Sequence, residues 1–129
     1  MLARLVGFAL VAVAAAPHAV QGQGRHPSPP LDAESYEGWR QYSAHCARCH
    51  GQDVLGNPVA ADLLKSAKAD GPVSDQAAFV GVVKAGRPDR GMPSFATTLS
   101  DAHANAIYTY VKGRADGKIP AGRPTRAGK

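Results

Sequence analysis

Apolar residues are spread unevenly along this chain. A nearly unbroken run spans Leu5 to Ala16, a polar proline-rich stretch covers Arg25 to Pro30, and three later segments carry apolar side chains at three- and four-residue spacing. The first run follows Arg4 and precedes small residues at Val20 and Gly22, the layout of a secretory signal with its cleavage site, so residues 1–22 are read as a signal peptide. The run is short for a membrane span, and an uncleaved N-terminal anchor is the alternative. Residues 23–30 are expected to be a flexible lead-in with His26 solvated, and residues 31–114 the folded domain.

The helical spacings begin at Leu31. Asp32 is placed to cap a helix running to about Ala44, with Leu31 facing Tyr36 across the cap and Glu34 and Glu37 near its positive end. Gly38, Tyr42 and Cys46 follow at intervals of four on one face. A glycine inside a helix costs about 1 kcal/mol relative to alanine, so Gly38 predicts close contact with a second helix. Trp39, the one tryptophan, is expected in the core or in a ligand wall. Residues 51–65 are rich in turn formers, sharpest at Gly56-Asn57-Pro58, and predict an irregular loop, with a short helix from Asp62 to Ala69 that Gly71-Pro72 ends. Ser74 is expected to cap a helix over Asp75–Lys84 that buries Phe79, Val82 and Val83 and stops at Gly86. Gly86 to Phe95 reads as a rigid loop. Ser100 caps the last helix, running to about Arg114, whose apolar stripe of Ile107, Tyr110 and Val111 is suited to crossing the first helix near Gly38 and Tyr42. The pattern is helical throughout, and no βαβ pattern is visible.

Charge changes the picture only at the end. The formal net charge is +5. Lys112, Arg114, Lys118, Arg123, Arg126 and Lys129 face Asp116 alone, whereas eight bases and nine acids between Gln23 and Val111 nearly cancel. Residues 115–129 are therefore expected to form a flexible basic tail that would steer an acidic partner, an effect that fades with salt. Nucleic-acid binding does not follow, because the folded part lacks a basic stripe with interleaved aromatics.

The chemistry is concentrated in Cys46-Ala47-Arg48-Cys49-His50. Two cysteines three apart followed directly by histidine form the attachment signature of c-type haem, in which each thiol adds to a vinyl group and the imidazole lies beneath the iron. A thioredoxin-type dithiol would want a flanking βαβ pattern, and a structural zinc site would want four ligands, whereas these are the chain's two cysteines. The histidine's other ring N–H needs a carbonyl acceptor, for which the Pro58 region is the candidate. In the loop Gly86-Arg87-Pro88-Asp89-Arg90-Gly91-Met92-Pro93-Ser94-Phe95, Met92 is the one methionine beyond Met1, and its functional reading is the distal iron ligand. Core packing is the plain alternative for Met92; His26, His45 and His103 are alternatives for the ligand. Arg87 and Arg90 would pair haem propionates, meet a partner, or stand solvated beside the turn. Haem would also supply apolar bulk to a small domain whose own core is thin.

The ordered set of Gly38/Tyr42, the Cys46–His50 signature, the Met92 loop and Ile107/Tyr110 resembles the class I cytochrome c family over residues 31–114. The resemblance implies an all-α cytochrome c fold, in which N- and C-terminal helices cross over one covalent haem c bonded to Cys46 and Cys49, with His50 and Met92 as axial ligands. Tyr36-Glu37-Gly38-Trp39-Arg40, the Gly86–Pro93 loop and Ile107-Tyr108-Thr109-Tyr110-Val111-Lys112 are similar to the small cytochromes serving pyrroloquinoline-quinone (PQQ) alcohol and methanol dehydrogenases. With both axial positions taken, the chemistry implied is outer-sphere electron transfer rather than enzymatic turnover. The expected protein is a periplasmic carrier between a PQQ dehydrogenase and another cytochrome or a terminal oxidase, with no permanent membrane insertion. The rivals are a haem enzyme or gas sensor with a labile Met92, and a fixed subunit of a membrane complex.

Overall fold

The protein is described by a computed structural model covering residues 28–128; the expected signal peptide and His26 lie outside the described residues. Five helices, α1 (Ala33–His45), α2 (Ala47–His50), α3 (Leu63–Ser66), α4 (Gln76–Ala85) and α5 (Asp101–Ala115), are joined by loops holding two 3-10 turns, Gln52–Val54 and Pro88–Arg90. The architecture is all-α, and among the described residues the backbone pairs between strands are isolated bridges. That leaves no βαβ unit around the two cysteines.

Helix α1 begins where the sequence places it. Asp32 accepts from the Ser35 backbone N–H at 2.8 Å and from its hydroxyl at 2.8 Å, and these bonds, the backbone one first, hold the Asp32 carboxyl below its ordinary pKa. The crossing of α1 and α5 organises the body. A Cβ built on Gly38 would lie 1.9 Å from the Ala106 carbonyl oxygen, so glycine is what lets the two backbones meet. Beside the crossing, Tyr42 and Tyr110 pack at 5.5 Å between ring centres, and with Ile107, Val54 and Val111 they are the largest fully buried side chains. Trp39 packs against this core, with Tyr36 at 5.5 Å, and is not among the residues lining the cleft described below.

Three local expectations are corrected. The cap of α4 is Asp75, whose carboxylate accepts from the Ala78 N–H at 3.0 Å, while the Ser74 carbonyl accepts from the Tyr108 hydroxyl at 2.8 Å. Both residue types cap helices; the pull of Tyr108 on the Ser74 backbone decides between them. The short helix is confined to Leu63–Ser66, with Asp62 as its cap, because Gly71 and Val73 fold back on its last turn through Lys68 and Ser66 carbonyls. The basic C-terminal segment follows a fixed course: Thr125 and Ala127 pair with the Leu31 backbone at 2.9 and 2.8 Å, and Ile119 and Pro124 are buried. Composition alone suggested a loose tail, but one apolar anchor and one edge pairing suffice to seat it. Its charge is also partly spent, since Lys112 and Lys118 both pair with Asp116 and Arg114 is buried. No helix among the described residues is long and apolar enough to cross a membrane.

Candidate haem site

The attachment signature is itself helical. Cys46 closes α1 with its N–H on the Tyr42 carbonyl at 2.8 Å and at the same time opens α2, where His50 N–H reaches the Cys46 carbonyl at 2.9 Å. One turn of helix brings Cys46, Cys49 and His50 to one wall of a cleft. Gly51 then breaks the helix at φ +85°, a conformation open to glycine at little cost, and its carbonyl accepts from the buried Tyr42 hydroxyl at 2.7 Å. Burial raises the Tyr42 phenol well above its ordinary pKa and pushes Tyr110 up to about 12, so both stay neutral donors.

The cleft encloses about 1100 Å³, its open mouth included. Its inner walls are apolar: Leu63, Val73, Phe79, Val82, Val83 and Ile107. His50 lies on one side with Nδ1 2.9 Å from the Ala61 carbonyl oxygen. A carbonyl can only accept, so Nδ1 carries the proton and Nε2 keeps its lone pair for a metal. The acceptor is therefore Ala61 rather than the expected Pro58 region. The cause is the backbone pairing of Asn57 with Ala60, which turns the chain after Pro58 and lays Ala61 past the ring.

Met92 lines the same cleft from a different element. Gly86 ends α4 at φ +72°, and Arg87 and Met92 then exchange backbone hydrogen bonds at 2.8 and 3.0 Å, closing a small loop over the Pro88–Arg90 turn. The loop hangs from α4 by the Ser94 hydroxyl on the Lys84 carbonyl at 2.6 Å and the Phe95 N–H on the Val83 carbonyl at 3.2 Å. Arg87 and Arg90 border the cleft as well. His45 lines it with its ring edge-on to Phe95, whereas His103 sits outside it, 4.0 Å from Glu37. Cys46, Cys49, His50 and Met92, singled out in the sequence, thus share one cavity.

The residues present fit a haem. Two thiols in an α-helical turn, one imidazole with a fixed tautomer and one thioether line the same apolar slot. Among the described residues no three His, Cys, Asp or Glu side chains converge as a metal cluster, which leaves the zinc reading without ligands. The Cys46 thiol, 0 disulfides being formed by either cysteine, is pushed up to about 12 by burial and then by the neighbouring Cys49.

Sequence reasoning missed three contacts around this site. The Tyr42 bond to Gly51, the Ala61 acceptor and the burial of Arg114 depend on residues 9, 11 and 61 positions apart in the chain. Arg114 was findable: it stands at i+7 from Ile107, on the stripe already marked by Tyr110 and Val111.

Comparison with known proteins agrees with the geometry. The family model described as cytochrome c oxidase, cbb3-type, subunit III matches residues 33–111. Cytochrome c-555 of Methylococcus capsulatus is 38% identical over 97 residues, which are 74% of this chain and 74% of that protein. The quinohemoprotein alcohol dehydrogenase ADH-IIG of Pseudomonas putida is 34% identical over 93 residues, 69% of this chain but 12% of the larger protein. The crystal structure of the c-type cytochrome XoxG from Methylobacterium extorquens AM1 superposes with a TM-score of 0.63 at 30% identity, covering 73% of this chain and 58% of that one. With the helix crossing, the signature and these relatives together, the chain belongs to the mono-haem c-type cytochromes, small electron carriers rather than enzymes, a family that implies covalently bound haem c.

Proposed function

We propose that this protein is a periplasmic one-electron carrier whose haem c is bonded to Cys46 and Cys49 and ligated axially by His50 and Met92. It takes electrons from a PQQ-dependent alcohol dehydrogenase and passes them to another cytochrome or a terminal oxidase. The observation that supports the ligand assignment is that a His50 imidazole whose Nδ1 is committed to the Ala61 carbonyl and Met92 from a separate loop line the same apolar cleft. When bound, the haem supplies a one-electron iron couple, and methionine ligation raises its potential. The chain's own part is to fix the imidazole, exclude water with Val73, Phe79, Val82 and Ile107, and leave the Cys49 edge exposed for an electron to cross. The donor is supported by the haem-bearing quinohemoprotein that resembles this chain over a small part of its length, and export by Arg4 with the apolar run Leu5–Ala16.

The test is reduction of the purified holoprotein by a quinoprotein alcohol dehydrogenase, followed by visible absorption. Fast reduction, a far-red iron–thioether band in the ferric form and no carbon monoxide adduct in the ferrous form are expected. A carbon monoxide adduct at neutral pH would favour the enzyme or sensor reading, and absence of reduction would remove the dehydrogenase as donor. The family's link to an oxidase subunit supports the fixed-subunit reading instead; recovery of the protein in the membrane fraction would favour it.

A further inference from the structure

Arg114 is the buried charged side chain of the described residues, 9% exposed. Its Nε donates to the Asp53 carbonyl at 2.9 Å and its Nη1 to the Ile119 carbonyl at 2.6 Å. The ion pairs of the described residues use Arg40, Lys65, Lys84, Arg90, His103, Lys112 and Lys118, and Arg114 is in none of them. The guanidinium is thus solvated by two carbonyl dipoles and held in no ion pair, although the Asp53 side chain, whose Oδ1 is buried without a hydrogen-bond partner, is an opposite charge on the same turn.

Its position is what matters. Asp53 stands three residues after His50, so the guanidinium lies within about 14 Å of the His50 backbone. The carbonyl it holds belongs to a strained turn: Asp53 has φ +55° and Val54 φ +62°, a region β-branched residues rarely enter. Such strain persists only where surroundings impose it, and here Arg114 from one side and the complete burial of Val54 from the other do so.

We propose that Arg114 is a potential-setting residue of the haem: its buried charge, held in no ion pair, disfavours the ferric state, which carries one more positive charge, while its fork ties the segment after His50 to α5 and the C-terminal segment. The inference rests on the haem site proposed above. As a general magnitude, a unit charge about 12 Å from a redox centre at an effective dielectric of about 20 changes a one-electron equilibrium about tenfold. Burial keeps salt from screening it.

Spectroelectrochemical titration of wild-type, Arg114→Lys and Arg114→Gln holoproteins tests this. Arg114→Gln keeps hydrogen-bond donors and loses the charge; its ferrous-to-ferric ratio at fixed poise is expected to fall about tenfold, a shift of ~59 mV for one electron. Arg114→Lys keeps the charge and is expected to stay within about twofold of wild type, less than a third of that shift. Equal potentials in Arg114→Gln and wild type, or equal falls in both variants, overturn the proposal. Should Arg114→Gln not accumulate, Arg114→Met removes the charge in its place: a tenfold fall beside a near-wild-type Arg114→Lys supports the charge, a wild-type potential overturns it. Wild type with thioether-bonded porphyrin and the iron–sulfur band, but no effect of charge removal, sinks only this inference; wild type lacking either feature sinks the site reading with it.

Discussion

The two walls of the cleft are built differently. The His50 wall is tied into the helix crossing: the buried Tyr42 hydroxyl of α1 on the Gly51 carbonyl, Ala61 on the imidazole and Arg114 of α5 on the Asp53 carbonyl. The Met92 wall is closed mainly on itself, by the Arg87–Met92 exchange, and hangs from the end of α4 by the Ser94 and Phe95 bonds. Failure of one wall therefore spreads into the core, whereas failure of the other stays local. In a carrier, that assigns permanence to the imidazole side and adjustability to the sulfur side.

The sharpest way to break the comparison is to remove each proposed ligand in turn. His50→Ala should abolish accumulation of folded holoprotein, since it empties the wall to which the core is tied. Met92→Ala should keep its covalent haem and its helix content while losing the iron–thioether band, gaining a carbon monoxide adduct and lowering the potential. Haem staining after denaturing electrophoresis and circular dichroism separate the outcomes. Equal loss of protein in both variants would show the walls to be equally coupled.

A glycine pair gives the next largest contrast. Gly51 and Gly91 both have positive φ, +85° and +77°, but Gly91 at ψ 6° is left-handed helical, where alanine costs about 1–2 kcal/mol, while Gly51 at ψ 149° lies in a region essentially confined to glycine, where it costs up to about 3 kcal/mol. At Gly51 the added Cβ would also fall 2.2 Å from the Gly56 carbonyl, whereas at Gly91 nothing lies within 4 Å. Gly51→Ala is expected to lose about 3 kcal/mol or more once overpacking is included, and Gly91→Ala no more than about 2. Denaturant midpoints at unchanged m-value read the difference.

The same asymmetry decides what the sequence could disclose. Asp32 and Ser100 caps, the Gly38 crossing, the helical stripes and the turn around Met92 are written in residues a few positions apart, and the structure has them where local rules put them. The His50 wall is different, because its partners are chosen by tertiary approach. Nothing near Pro58 announces that Ala61 will present the carbonyl, and nothing near Asp53 announces an arginine 61 residues on. The C-terminal segment misled for a related reason: charge and proline content predict looseness, while Ile119, Pro124 and a backbone exchange with Leu31 hold it.

The smallest contrast compares one bond type across the two walls. Tyr42 and Ser94 each donate a hydroxyl to a backbone carbonyl, at 2.7 and 2.6 Å, but the first bond is buried and the second exposed. Tyr42→Phe leaves the Gly51 carbonyl without its partner away from water and should cost about 1–3 kcal/mol; Ser94→Ala lets water replace the hydroxyl and should cost about 0.5 kcal/mol. Alkaline titration sharpens the pair. Burial raises the phenols of Tyr42 and Tyr110, the latter up to about 12, against an ordinary value of 10.0. Above that ordinary value the unfolded chain has released protons that the folded one keeps, so stability is whole below about pH 10 and falls as pH rises towards the folded values. Tyr42→Phe removes one of the two groups and should flatten that fall, while Ser94→Ala should leave its slope unchanged. Parallel alkaline slopes in wild type and Tyr42→Phe would mean that the Tyr42 hydroxyl, though bonded to Gly51, meets solvent often enough to titrate as it does in the unfolded chain.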